Sequence, residues 1–391
     1  MAQVENNIST FKWYYFFWRF KPLSALMIIY FIGITNSYAA GMGVFAVFNI
    51  IFSVVKIPSG IFSDYIGRKI TLLLAGALLF ISFILLALSG QYASVPLLYT
   101  FACLWAISEA FINGTVHALM YETTQEIHHS ENFKLIYSGS MIFDQLGCAL
   151  GALAAMFVTY YVPLQILAWL TVVPAFFQLI TSFFFVEPHI KIKKQPLNRQ
   201  YVKIVISQFI KNKKLLFYSV ADIFFSTLGD ISHRFEGAYF KNFISNWLIS
   251  LVRVFKHCFG IFGFACVPLL KKFSMEKIYF SSIFFNLIIR TIAVIFNNCL
   301  TPFFHMFINF FYATSSTAKT DIFQKQFLPE YRATTNSIIL FIKGLFTSLM
   351  MYLLGLMADI HGIYFAMISL VVLRIIGLFV AFVFQKAVKE V

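Results

Sequence analysis

The sequence predicts an all-α integral membrane protein with twelve transmembrane helices in two six-helix bundles. Three observations carry this. Of 391 residues, 60% are hydrophobic and only 12% charged, with a mean hydropathy of +0.80. A soluble domain is about one quarter charged, and so few charges could not cover a soluble surface of this size. The apolar residues fall into runs of the length, about 20 residues, that a spanning helix needs. Lys and Arg gather in alternate connections, so the net charge of +14 reads as positive-inside asymmetry rather than as a footprint for an acidic partner. A soluble cytosolic enzyme, a disordered chain and a nucleic-acid-binding module are excluded.

The twelve runs lie near 13–37, 41–63, 69–90, 94–117, 134–160, 163–186, 213–241, 247–270, 277–297, 300–324, 333–358 and 361–387. Polar residues, Met1 to Ser9, precede the first run without a cleavable signal pattern. The longest polar interruption begins at Glu187-Pro188 and carries Lys191, Lys193, Lys194, Arg199, Lys203, Lys211, Lys213 and Lys214. It divides the chain into an N-terminal bundle at 1–190, a basic cytoplasmic linker at 191–212 and a C-terminal bundle at 213–391. The linker suits the surface of anionic lipid. Arg68, Lys69, Lys134, Lys271, Lys272, Lys277, Lys325 and Arg332 mark one side of the membrane, whereas the connections near 89–94, 160–163 and 297–302 carry no charge. Both termini are therefore expected in the cytoplasm. A faint repeat aligns Gly60–Lys69 with Pro268–Lys277, as two bundles related by an axis along the membrane normal would show. Cys103, Cys148, Cys258, Cys266 and Cys299 are scattered in apolar runs without metal-ligand spacing, and read as small hydrophobes.

The connection between runs 2 and 3 reads Gly60-Ile-Phe-Ser-Asp64-Tyr-Ile-Gly67-Arg68-Lys69. Gly60 suits close approach of two helices, and Gly67 a tight turn. Asp64 can accept from a helix N-terminus, and Arg68 can pair with a carboxylate on a neighbouring helix. This loop resembles the signature G-x-x-x-D-x-x-G-R-[RK] of the major facilitator superfamily, and it stands after the second helix, where that family has it. Lys56-Ile-Pro58-Ser-Gly60 resembles the E-I-P-T-G of one bacterial branch, with Lys56 in place of glutamate. Glu109 to Gly114 with Ala118 to Glu122, and Pro329 to Thr334 with Gly355 to Asp359, resemble other stretches of that branch. The resemblance spans nearly the whole chain and is weakest across runs 7 to 10. It implies two bundles rocking about a central cavity, with the signature loop locking the cytoplasmic side. Asp64 would then cap the helix beginning near Thr334 and Thr335, and Arg68 would pair with Glu122.

Ionisable residues at bilayer depth are costly, and each marks a site hypothesis. Arg19 and Lys21 suit snorkelling from run 1. Glu109, Asp144 and Gln145 could pair with Lys56 or Arg19. Glu109, Asp222 and Asp144 are the candidates for proton coupling. Arg253, Lys256 and His257 share one helical face of run 8. At 1.5 Å per residue, Lys256 stands roughly 20 Å from Lys271 along its helix. Lys343, Arg290 and Arg374 lie at comparable depth. The resemblance places runs 9 and 12 at the periphery, which makes Arg290 and Arg374 structural. It places runs 7, 8, 10 and 11 around the cavity. Arg253, Lys256 and Lys343, with Asp222, are therefore the candidate substrate contacts. Asp230, near His233, Arg234 and Glu236, suits an outer gate. These cations have no evident carboxylate partner in sequence, so they either find Asp222 and Asp230 or await an anionic cargo.

The expected function is secondary active transport of a small molecule across a bacterial cytoplasmic (inner) membrane by alternating access, coupled to H+, with an organic anion or zwitterion as substrate. Efflux of drugs or metabolites, or uptake of an anionic nutrient or carboxylate chelator, are the alternatives. A membrane-embedded enzyme would need a catalytic constellation, and His117 and His305 stand isolated. A sensor would need an added signalling domain. No cofactor, metal or nucleic acid is implied, there is no nucleotide-binding G-x-x-x-x-G-K-[ST] loop, and a monomer suffices.

Overall fold

A computed structural model of the chain describes residues 2–127, 133–189, 207, 209, 211–270, 272–327 and 332–389. Among these residues there are fourteen α-helices, two short 3-10 turns and no strand. The expected linker at 191–212 lies outside the described residues, apart from 207, 209, 211 and 212. The chain divides into two compact units, Met1–Lys194 with Ser245–Leu251, and Gln195–Ile244 with Val252–Val391.

The first unit is built from α1 (Ala2–Arg19), α2 (Met27–Thr35), α3 (Tyr38–Ile66), α4 (Arg68–Gln91), α5 (Val95–Glu126), α6 (Phe133–Tyr161) and α7 (Leu164–Phe183). α4 packs on α5 and α7, α3 on α5, and α1 on α6. Gly147 on α6 is needed for the last contact: a Cβ there would stand 2.4 Å from the Phe16 carbonyl oxygen. Run 1, expected as one helix, is broken. Lys21 leaves the helical region (φ −119°, ψ 89°). Pro22, which lacks an N–H, opens a 3-10 turn at Pro22–Ala25 before α2 begins. Thr171 Oγ1 accepts from the freed Leu23 N–H at 3.1 Å. Asn7, fully buried, pins α1 at its other end. Its amide donates to Thr123 Oγ1 (3.1 Å) and the Val186 carbonyl (2.9 Å), and its Oδ1 accepts from Val186 N (2.8 Å).

The second unit is built from α8 (Lys213–Phe240), α9 (Asn246–Cys266) from Val252 onward, α10 (Met275–Phe296), α11 (Thr301–Met306), α12 (Ile308–Gln326), α13 (Arg332–His361) and α14 (Ile363–Lys389). Asn212 caps α8 by accepting from Leu215 N at 2.9 Å. α8 packs on α13 and α14, and α10 on α12. Leu215, Tyr218, Ile278, Tyr279, Ile322 and Phe323 close one apolar core of this unit. Run 10 is also divided, between α11 and α12 at Phe307.

Ten described helices are long and apolar enough to cross a membrane. The difference from twelve lies in the two divided runs. α2 and α11 are short, and α12 carries Lys319, Asp321 and Lys325.

Candidate functional site

The signature loop is a compact polar knot in the first unit. α3 ends at Ile66, and Gly67 turns the chain with φ 109° and ψ 154°, a region that excludes side-chain-bearing residues. The freed N–H groups of Arg68 and Lys69 donate to the Glu187 carboxylate at 2.8 and 2.7 Å, so the anion sits on the positive end of α4. The Arg68 guanidinium is buried between two acids. It contacts Asp64 at 2.5 Å and holds Glu122 by two bonds of 3.2 and 2.9 Å. Ser63 Oγ accepts a third bond at 2.8 Å. Gly60 differs from its expected role. A Cβ there would meet nothing within 4 Å among the described residues; the close approach is made by Gly114, whose added Cβ would stand 3.3 Å from Ser59 Oγ.

Deeper in the same unit two ion pairs flank the break in run 1. Glu109 Oε1 accepts from Lys21 (2.9 Å), Trp105 Nε1 (3.0 Å) and Trp18 Nε1 (3.1 Å). The Lys21 ammonium also lies 5.5 Å from the ring centres of Phe83 and Trp105. Arg19 donates to Asp144 at 2.6 Å, and Gln145 to the other Asp144 oxygen at 3.0 Å. Lys56 meets neither acid: its ammonium lies over the Phe52 ring at 5.1 Å.

In the second unit, α8 presents three acids to three lysines. Asp222 faces Lys319 of α12 at 3.2 Å, Asp230 faces Lys343 of α13 at 2.8 Å, and Glu236 is ion-paired with Lys256 of α9. The third pair is the centre of a larger cluster. Glu236 is 1% exposed, and its oxygens also face Arg253 (3.7 Å), Arg290 of α10 (3.6 Å) and His305 of α11 (3.2 Å). His233, one helical turn before Glu236, lies 3.6 Å from it and 2.7 Å from the Arg253 guanidinium. Arg290 donates to Ser232 Oγ and to Asn286 Oδ1 (2.8 Å), and Arg374 of α14 donates to that same oxygen (3.3 Å). His305 Nε2 and Arg374 Nε are buried and have no hydrogen-bond partner among the described residues. The cluster is closed on most sides and reaches the surface at His233, whose side chain is 49% exposed.

The sequence model of the Major Facilitator Superfamily matches residues 14–388. The chain belongs to that superfamily. It is therefore a multi-pass membrane transporter rather than an enzyme. Solved structures agree on the fold. A point mutant of the nucleoside transporter NupG superposes with a TM-score of 0.80 at 12% identity, covering 96% of this chain and 99% of that one. A bacterial homologue of the human lysosomal transporter Spinster gives 0.75 at 13% identity, covering 97% and 96%. The D-xylose–proton symporter gives 0.69 at 13% identity, covering 97% and 96%. Comparison with curated protein sequences finds no match.

The structure brings Arg253 and Lys256 together, as their shared helical face implies, but leaves Lys343 and Asp222 in separate pairs. Lys256 and Lys343 do have carboxylate partners. The partner of Lys256 is Glu236, an acid that the sequence did not single out as its counter-ion. Arg290, set aside as peripheral, and His305, read as isolated, both face Glu236. The one available signal was the His233-x-x-Glu236 spacing, which puts both on one face of α8. Arg68 pairs with Glu122, as expected; of the two threonines expected near Asp64, the side chain of Thr334 lies outside the described set, and Thr335 is buried. The side chains of Lys134 and Lys271 also lie outside it.

Proposed function

We propose that this transporter moves small organic anions across a bacterial cytoplasmic membrane by alternating access, with H+ as the coupling ion. One observation supports the substrate class. Three cations, the buried Lys256 and Arg290 and the partly buried Arg253, converge on the single carboxylate of Glu236. Burial of unbalanced charge is costly, and an anionic cargo offsets it. In this reading the bundles at 1–190 and 213–391 rock as units, both termini are cytoplasmic, and the chain acts as a monomer. Arg68, held between Asp64 and Glu122, is the element of the cytoplasmic lock that Gly67 and Glu187 orient.

For the proton, the number of donors on each acid separates the candidates. Glu109 Oε1 already accepts three bonds, and both Asp144 oxygens are engaged. Asp222 meets Lys319 at 3.2 and 3.5 Å and is the most loosely held of the three candidates. Liposomes loaded with a pH dye test both parts. A pool of organic anions should drive acid-dependent flux that Lys256→Met abolishes. Asp222→Asn should remove accumulation against a gradient while leaving anion exchange. Flux of lipophilic cations with no response to anions would refute the proposal and mark a drug exporter.

A further inference from the structure

The surplus of charge at Glu236 points beyond "an anion" to its valence. Within 4 Å of the Glu236 carboxylate stand Arg253, Lys256 and Arg290. With His233 and His305 neutral, three cations against one carboxylate leave two positive charges uncompensated. Nothing else acidic is ion-paired to these three cations among the described residues: Asp222 and Asp230 are committed to Lys319 and Lys343. Arg374 adds a further guanidinium on the edge of the cluster, sharing the Asn286 oxygen with Arg290 and leaving its Nε without an acceptor among the described residues. Two guanidinium groups on one neutral amide oxygen are a poor substitute for an oxyanion.

From this we infer that the site recognises an organic dianion, a dicarboxylate or a phosphate monoester, and that Glu236 is a tethered counter-ion occupying part of the same cation set in the absence of cargo. The inference rests on the anion reading above and narrows it. A dianion neutralises the surplus of Arg253, Lys256 and Arg290, and offers an acceptor to Arg374 Nε, which has none among the described residues. A monoanion leaves one charge uncompensated in a buried site. The Arg253 and His233 side of the cluster, where His233 is half exposed, is the route of entry. Glu236 competes with the cargo for Lys256, so removing its charge without changing its shape should tighten dianion binding.

The test is ligand-induced thermal stabilisation of the purified full-length protein with butyrate, succinate, ethyl phosphate and citrate. These vary charge on small skeletons, and butyrate and succinate share a four-carbon chain. We expect the apparent affinity of succinate or ethyl phosphate to exceed that of butyrate by about tenfold or more, the ratio that about 1.4 kcal/mol of binding energy gives. Succinate and ethyl phosphate separate the carboxylate from the phosphate source. In Glu236→Gln the dianion affinity should rise further, while Lys256→Met should erase the step between butyrate and the dianions. Binding of all the anions with no dependence on charge overturns the dianion inference and leaves the anion reading standing. No stabilisation by any of these anions, with stabilisation by neutral or cationic compounds, overturns both. The wild-type charge series decides the matter even if Glu236→Gln does not fold.

Discussion

Removing Glu236 should damage the fold far more than removing any single cation that faces it. Glu236 is buried, and its two oxygens face Lys256, Arg253, Arg290 and His305. Glu236→Ala leaves three like charges together with no counter-ion. Breaking a buried pair by deleting one partner costs about 3–5 kcal/mol. For a unit of roughly this size that corresponds to a fall in Tm of about 6–20 °C. Lys256→Met is different. Glu236 still faces two guanidinium groups at 3.7 and 3.6 Å, and a methionine fills the lysine stem's place. Its cost should stay below about 2 kcal/mol. The assay is thermal unfolding of the two variants in one detergent at one scan rate, since membrane proteins unfold with kinetic control. If Lys256→Met is as destabilising as Glu236→Ala, the cluster is a simple one-to-one pair, and the surplus-charge argument fails.

Two other outcomes test the first unit. Gly67→Ala should cost about 1–3 kcal/mol, because φ 109° with ψ 154° is a glycine conformation and the new Cβ would stand 3.3 Å from the Glu187 carboxylate. Stability equal to wild type in thermal unfolding would show that the α3–α4 turn can readjust. Gly147→Ala should lower stability by about 1–3 kcal/mol through overpacking, since its Cβ would meet the Phe16 carbonyl at 2.4 Å and force α1 from α6. An unchanged midpoint would mean that this contact is slack.

The fold was legible because the membrane imposes it: run length and the placement of Lys and Arg are one-dimensional signals. The break in run 1 was half legible. Lys21-Pro22 is an X-Pro step inside an apolar run, yet proline is tolerated in membrane helices, so the run reads as continuous. The division at Phe307 carries no Pro or Gly at all and was not readable. Arg253 and Lys256 were found because helical periodicity alone puts them on one face. Glu236 was not chosen as their counter-ion because it stands four residues from the end of α8, where charge usually reads as interfacial. Arg290 was discounted by its run's peripheral place in the resembled family, while its actual partners, Ser232 and Glu236, come from another helix. Pairing across helices is a tertiary fact that no local pattern encodes.

The contrast among the intramembrane charges bears on what the cluster is for. A structural pin needs balance, and several sites show it: Arg19 with Asp144, Lys21 with Glu109, Lys319 with Asp222, Lys343 with Asp230. At the signature loop the imbalance is negative, with Arg68 between Asp64 and Glu122, and a surplus acid there leaves a spare partner when the loop rearranges. At Glu236 the imbalance is positive and buried. Well-packed apolar residues in place of a buried ion pair are often neutral or stabilising. A fold needing only cohesion at this end of α8 would therefore gain nothing from a second and third cation. Their retention costs stability unless a ligand offsets it during part of the cycle. That argument favours the Glu236 cluster over the balanced Lys343–Asp230 and Lys319–Asp222 pairs as the proposed cargo site. It predicts that Lys343→Met alters the rate of transport while leaving the preference among anions intact. A changed anion preference in that variant, measured by competition in liposomes, would move the site to Lys343.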